Sequence, residues 1–398
     1  MLGGSPASLH GRSVVFLNWR DTANPEGGGS ERYVERMARG LAERGASVTV
    51  FCASHPNAPD DQVVGGVRFV RRGGKMDVYL RGVLYLASRR FGRVDAVVDV
   101  QNGIPFFTRL ATRRPIVVLV HHVHREQWPI VYPGLMGRVG WWVESRLAPR
   151  VYRRCRYVAV SEATRAELGV LGVSGDRVTV VRNGTEPALA VGAGRAPTPT
   201  LCVLGRLVPH KRVEHAIEAV VALRDEFPDL RLFVVGSGWW EEDLRKYAAA
   251  AGVGDLVVFE GRVSEERKHE ILASSWLLVL PSLKEGWGLV VGEAGTHGVP
   301  TIAYAAAGGT RESVADGRSG LLVGDRTELI EAIRGLLRDP GRLADLGAGA
   351  RETALRFGWP QAEESFATVV AAELSGRDPD SVRPARRRRR PRGGRRAV

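Results

Sequence analysis

The chain has 398 residues, 44% hydrophobic and 25% charged, enough apolar content to exclude wholesale disorder and to build two or three domains of roughly 150 residues each. No apolar run approaches the ~18 residues of a membrane span, Met1–Gly11 lacks the basic-then-apolar pattern of a secretory signal, and Cys52, Cys155 and Cys202 form no CxxC pair, so a disulfide scaffold or zinc site is not expected and a reducing cytoplasm fits. Of the formal net charge of +13, ten arginines and two aspartates in residues 377–398 supply +8, so the folded part is only mildly basic and the tail 375–398 is expected to be disordered.

In chain order, Ser13–Asn18 reads as a buried strand leading into a loop with Pro25, Gly27, Gly28 and Gly29. A helix follows, with Tyr33, Val34, Met37 and Leu41 on one face and Gly45 at its end, and then a strand at Val48–Cys52. Strand, glycine loop, helix, strand signals a parallel α/β sheet. Val94–Val100, Ile116–Val120, Tyr157–Val160 and Val178–Val181 continue it, with Glu162–Leu168 helical. Residues 185–199, with Pro187, Pro197, Pro199 and a Gly/Ala run, read as a linker.

A second α/β set opens at Leu201–Leu204. Its further strands are Leu230–Val235, Val257–Glu260, Trp276–Leu280 and Thr301–Tyr304. Its helices cover about 212–227, 241–250, 265–273, 289–297, 328–337 and 341–356, and after a break at Phe357–Trp359 a last helix runs over Gln361–Leu374. The expected architecture is therefore α/β, with two Rossmann-like domains facing across a cleft. Their expected extents are 10–184 and 200–356, with the helix in 357–374 crossing back to the first.

Three loops carry candidate chemistry. Gly27–Gly29 lets backbone approach a ligand at a helix start, where free N–H groups and the dipole attract anions; it is neither a GxGxxG fingerprint nor a P-loop, and a flexible turn explains it equally well. Arg206 and Lys211, in GRLVPHK at the end of a strand, suit a diphosphate whose charge builds as it leaves, against the plain alternative of two solvated cations. PSLKEGWGLVVGE places Glu285 in a loop after a strand and Glu293 about a turn into the next helix, with the backbone of Gly286, Trp287, Gly288 and Leu289 between them for phosphate. The two carboxylates can then meet a sugar and a ribose; the plain alternative is a loop glutamate and a solvated helix glutamate.

With these motifs in place the chain resembles the retaining, nucleotide-sugar-dependent glycosyltransferases of family 4, which have the GT-B fold. The likeness runs in order over about residues 12–372 through GGGSERYVERMARGLAERGASVTVF, VHH, VAVSEATRAEL, VVRNGTE, LGRLVPHKRVEHAIEAV, GRVSEERKHEIL, PSLKEGWGLVVGEAGTHGVPTIAY and GGTRESVADGRSGLLV. The resemblance implies that Glu285 faces the donor hexose, Glu293 holds the ribose, Arg206 and Lys211 take the diphosphate, and the Gly28–Gly29 loop closes over the donor and acceptor side. It implies that His121, after the strand 116–120, is the active-site histidine, although HHVH leaves His122 and His124 as alternatives.

The resemblance implies a UDP- or GDP-sugar donor, no required cofactor, and loss of nucleoside diphosphate followed by same-face attack of an acceptor hydroxyl. With no DxD motif and no acidic cluster beside the histidines, no required metal is expected. The acceptor, a lipid-linked or small-molecule glycan, is not coded in the first half. Trp141 and Trp142 among arginines, with the Arg-rich tail, suit an anionic membrane surface, so peripheral attachment at the inner face of the plasma membrane stands beside a purely cytoplasmic location. The rival readings are a nucleotide-sugar epimerase or glycoside phosphorylase on the same fold and, resting only on the tail, a basic nucleic-acid-binding protein.

Overall fold

The computed structural model describes residues 9–376; of the expected tail 375–398, residues 377–398 lie outside the described residues. The first half holds an eight-stranded sheet of β1 (Ser13–Leu17), β2 (Ser47–Cys52), β3 (Asp61–Val64), β4 (Val67–Arg71), β5 (Ala96–Gln101), β6 (Ile116–Val120), β7 (Arg156–Ala159) and β8 (Val178–Val180), in the order β3-β4-β2-β1-β5-β6-β7-β8. All neighbours are parallel except β3, which pairs antiparallel with β4 at the edge. The second half holds a parallel six-stranded sheet of β9 (Thr200–Leu204), β10 (Arg231–Val235), β11 (Val257–Gly261), β12 (Leu277–Leu280), β13 (Thr301–Tyr304) and β14 (Gly320–Val323), in the order β11-β10-β9-β12-β13-β14.

The central strands β5 and β6 are buried at every position, as a sheet covered on both faces requires; β6 is an unbroken apolar run, while β5 also buries Asp99 and Gln101. Each sheet reverses its strand order once near its middle, at β1/β5 in the first and at β9/β12 in the second. In open α/β sheets the crevice beyond the strand ends at such a reversal is where ligands sit. The loops that follow β1, β9 and β12 carry the glycine run, the Arg206/Lys211 pair and the two-glutamate motif.

Elements not anticipated from the sequence include the strands β3 and β4, the helix Val78–Ala87 and β14. β3 is short and mostly exposed, so it carries no alternation. The helix 78–87 leaves Leu80 and Leu84 in solvent and buries Gly82, which blurs its period.

The last helix, Trp359–Leu374, starts two residues earlier than its sequence suggests, with Pro360 in its first turn, where a missing N–H costs nothing. It crosses back to the first half. Phe366 is fully buried and stacks on Phe16 at 5.9 Å, in one core with Tyr33 and Met37, and Gly40 approaches Glu363 so closely that a Cβ would lie 2.7 Å from its side chain. The two passages of chain between the halves lie side by side, Thr185 N donating to Phe357 O at 2.7 Å.

The crossing helix is thus part of the first core. Phe366→Ala should cost about 3–5 kcal/mol of stability, the range for deleting a buried aromatic; a urea unfolding midpoint left unchanged would show that the helix packs independently.

Candidate functional site

The loop after β12 is held from both sides. Leu283 N donates to His210 O at 2.8 Å, Glu285 N donates to Ala307 O at 2.7 Å, and Gly309 N donates to Glu285 O at 3.0 Å. Gly288 has φ +88°, a left-handed conformation that favours glycine, and it opens the helix Leu289–Thr296. The first amides of that helix, Leu289 and Val290, have no partner one turn back.

Lys211 Nζ donates to Glu285 Oε1 at 2.6 Å, so a cation from the loop after β9 and a carboxylate from the loop after β12 meet. Arg206 lines the same hollow as Lys211, beside Leu280 and Ser282. Its side chain makes no hydrogen bond or ion pair with protein groups among the described residues. Loss of hydration and the nearby Arg20 charge hold its guanidinium below the usual arginine range.

The first half closes over this hollow. Gly28 is extended, and its N–H donates to Glu31 Oε2 at 2.8 Å. A Cβ on Gly28 would lie 3.7 Å from Arg206 Nε, and one on Gly29 would lie 2.9 Å from Leu289 Cδ1. Glu31 is fully buried between Arg20 Nε (3.2 Å) and Trp19 Nε1 (3.2 Å). Burial would raise its carboxyl, but the charges of Arg20 and Arg206 and two hydrogen bonds outweigh burial and hold it low. A carboxylate is thereby fixed behind the glycine loop.

The structure separates the three histidines. His122 Nε2 lies 3.0 Å from Gln127 Oε1, and His124 Nδ1 lies 3.1 Å from the buried Glu144, so both are tied within the first half. His121 is buried, its ring edge-on to Tyr33 at 5.4 Å, and its Nε2 has no hydrogen-bond partner. Its carbonyl accepts from Thr164 Oγ1 at 3.0 Å and faces Gly286 of the other half, where a Cβ would fall 2.3 Å away.

Glu293 lies in the helix 289–296. Its Oε1 accepts from Arg32 Nη1 and from Lys268 Nζ, each at 2.9 Å. Trp287 is buried with its ring edge-on to Phe357 at 4.9 Å, so its indole belongs to the packing between the halves.

Several participants were not read from the sequence: Arg32, Lys268, Glu31, Arg20 and the cross-cleft pairs Lys284–Glu167 and Arg182–Glu312. Each looks like an ordinary charged position on a helix or loop, and only the facing half identifies its partner. Among the described residues no group of three or more His, Cys, Asp or Glu side chains is placed to hold a metal ion.

Burial pushes the His121 imidazole down to about 4 from an ordinary 6.5. Between those values the unfolded chain binds a proton at this position and the folded chain does not, so stability is full above 6.5 and falls as the pH drops toward 4. His210, pushed down to about 3 by burial and by Lys211, adds to the same trend. Urea titrations from neutral pH downward should show this loss, and His121→Asn should flatten it by up to about one proton; an identical slope in the variant would contradict the buried neutral state.

Comparison with known proteins fits this geometry. The profile described as "Glycosyltransferase Family 4" matches residues 27–189, and that described as "Glycosyl transferases group 1" matches residues 193–353. The chain is similar to the D-inositol 3-phosphate glycosyltransferase of Xylanimonas cellulosilytica, 29% identical over 405 residues, covering 87% of this chain and 92% of that one. Matches of 36% and 35% identity to Streptomyces proteins of the same name are shorter, and there the chain spans about half the length of the curated relatives it matches. Among solved structures, sucrose-phosphate synthase from Thermosynechococcus elongatus superposes with a TM-score of 0.79 at 20% identity, covering 92% of this chain and 100% of that one. Anabaena HepE in complex with UDP-glucose superposes with a TM-score of 0.70 at 19% identity, covering 90% and 99%. The two matched profiles lie on the two sheets, and the chain belongs to the family 4, group 1 glycosyltransferases of the GT-B fold.

Proposed function

We propose that this protein transfers a hexosyl group from a nucleoside-diphosphate sugar, UDP- or GDP-linked, to an acceptor hydroxyl with retention of anomeric configuration. The observation that carries the reading is the meeting of Lys211 with Glu285 beside Arg206 in the second half, with Gly28 of the first half against Arg206 and the His121 carbonyl against Gly286. The printed name of the Anabaena complex, with UDP-glucose on the same fold, supports a nucleotide-sugar donor. The names of the curated relatives support a polyol-type acceptor, and a lipid-linked or small-molecule glycan acceptor stays within that reading.

In this mechanism Arg206 and Lys211 hold the diphosphate, and the opening amides of the helix 289–296 face its oxygens. The bond between the anomeric carbon and the phosphate oxygen breaks, and its electron pair goes to the diphosphate. Two fixed cations stabilise that developing charge without reorganising. The acceptor oxygen attacks the face from which the diphosphate leaves, and its proton passes to a phosphate oxygen. Glu285, oriented by Lys211, takes hexose hydroxyls. His121 is kept neutral by burial and hydrogen-bonds the transferred sugar. Glu293 exchanges its contacts with Arg32 and Lys268 for the ribose hydroxyls.

Gly28, Gly29, Gly286, Trp287, Gly288 and Leu289 contribute backbone and close approach, Trp287 through its main chain only. No helix among the described residues is long and apolar enough to cross a membrane. With three buried free cysteines, the reading places the protein in the cytoplasm, at or near the inner face of the plasma membrane.

A panel of UDP- and GDP-hexoses, assayed with and without polyol and glycan acceptors, tests this reading. Transfer that needs an acceptor supports it, whereas donor consumption without one points to an epimerase. Glu293→Ala should weaken nucleotide binding by about 1.5–3 kcal/mol, since ribose contacts are equal in ground and transition states; calorimetry giving an unchanged Kd would remove Glu293 from the site. Lys211→Ala should instead lower kcat by about 10²–10³, because its partner gains charge as the bond breaks. A variant with full kcat and a raised KM would make Lys211 an anchor only.

A further inference from the structure

The segment after His121 has a fixed inner face and an unused outer one. It contains the short helix Trp128–Val131 and the helix Leu135–Trp142, which continues through a wider turn at Val143–Leu147 into Ala148–Val151. Inside, Glu144 is fully buried, takes the Trp128 indole N–H at 2.6 Å and accepts from the His124 backbone at 3.1 Å. Gly140 lets the Trp128 ring approach to where a Cβ would lie 2.3 Å away. These contacts hold the segment without help from its other side.

On that other side Leu135 (73% exposed), Met136 (62%), Val139 (51%) and Trp142 (55%) stand in water. Large apolar side chains grouped on one exposed face mark a surface that meets something else. Leu135, Val139 and Trp142 share one face of the helix 135–142, and Arg146, Arg150 and Arg153 stand exposed along the wider turn, the helix 148–151 and the turn after it, so cations follow the apolar face in the chain. Residues 125–154 expose six arginines (Arg125, Arg138, Arg146, Arg150, Arg153, Arg154) against one carboxylate, Glu126. None of the six has an ion-pair partner among the described residues.

We propose that this face docks the enzyme on an anionic lipid bilayer, the apolar stripe entering the headgroup boundary and the arginines resting on lipid phosphates. An apolar row with a tryptophan, flanked by cations and nearly free of acid, is the pattern of an interfacial helix. A protein partner would have to bring a matching set of carboxylates to the same stripe. The segment follows β6 and His121 in the chain and is tied to the His124 backbone through Glu144, so docking brings the half that carries His121 to the membrane, which favours a lipid-linked acceptor. This last step rests on the transferase reading; the docking itself does not.

The test is co-sedimentation of the full chain with vesicles of phosphatidylglycerol and phosphatidylcholine, and with vesicles of phosphatidylcholine alone. The variants are Leu135→Ser/Met136→Ser/Val139→Ser/Trp142→Ser and Arg146→Glu/Arg150→Glu/Arg153→Glu. Because the Arg-rich tail is unchanged in all of them, differences report the helical face. Each variant should lose about tenfold or more of the partition onto anionic vesicles, with UDP or GDP affinity and Tm kept. Wild-type Trp fluorescence should shift blue on anionic vesicles, and Trp142→Phe should reduce that shift.

Vesicle binding equal to wild type in both variants overturns the proposal, as does equal binding to neutral vesicles. So does a concentration-dependent dimer that the serine variant abolishes while vesicle binding persists. Vesicle binding without sugar transfer from any donor would leave docking standing and refute the transferase reading. Transfer without vesicle binding would do the reverse.

Discussion

Gly286 lies against the carbonyl of His121 with no room for a side chain: a Cβ there would come to 2.3 Å of the oxygen. Two halves built on separate sheets touch at that point, and the geometry of the cleft follows from the contact. It places the loop bearing Glu285 beside the edge of β6 that bears His121. It is backed by ion pairs across the cleft, from Lys284 to Glu167, from Arg32 to Glu293 and Glu265, and from Arg182 to Glu312, which also accepts a hydrogen bond from the Ala163 N–H. The hollow withdraws its charged groups from water in part, the Lys211 side chain being 21% and that of Glu285 11% exposed, which strengthens their interactions relative to solvent.

The fixed charges show how the site is prepared. Arg206 is held among Arg20, Glu31 and Glu285 without a direct partner, and burial depresses its affinity for its own proton. An anion entering beside it recovers interaction energy that protein groups do not already use. Lys211 is directed by Glu285, and Glu293 is occupied by Arg32 and Lys268. On the proposed mechanism a nucleotide must displace Arg32, a residue of the first half, from a carboxylate of the second, so donor binding and the approach of the halves become linked.

The parallel strands were legible in the sequence because buried strands leave unbroken apolar runs, and the glycine loop, the basic pair and the two glutamates because they stand at strand ends, where these sheets bind ligands. What the sequence did not carry was partnership. Arg32 and Lys268 occupy helix faces like many solvated cations, and Glu31 sits in a first turn where a carboxylate is ordinary. HHVH put His121 forward with His122 and His124 as alternatives, and the surroundings of each ring differ: Gln127 for His122, Glu144 for His124, no hydrogen-bond partner at Nε2 for His121. The edge strand β3 and the helix 78–87 escaped for a simpler reason, since surface elements with exposed apolar residues lose the period that reveals them.

The central claim, that the diphosphate leaves and the acceptor enters on one face of the sugar between the two halves, is tested most directly by NMR of the product. The full-length enzyme would be supplied with an α-linked nucleotide sugar that it turns over and with its acceptor, and the anomeric coupling of the new glycoside would be read before any equilibration. The account predicts an α-linked product that forms only when acceptor is present. A β-linked product, or donor consumed at the same rate without acceptor, would contradict it.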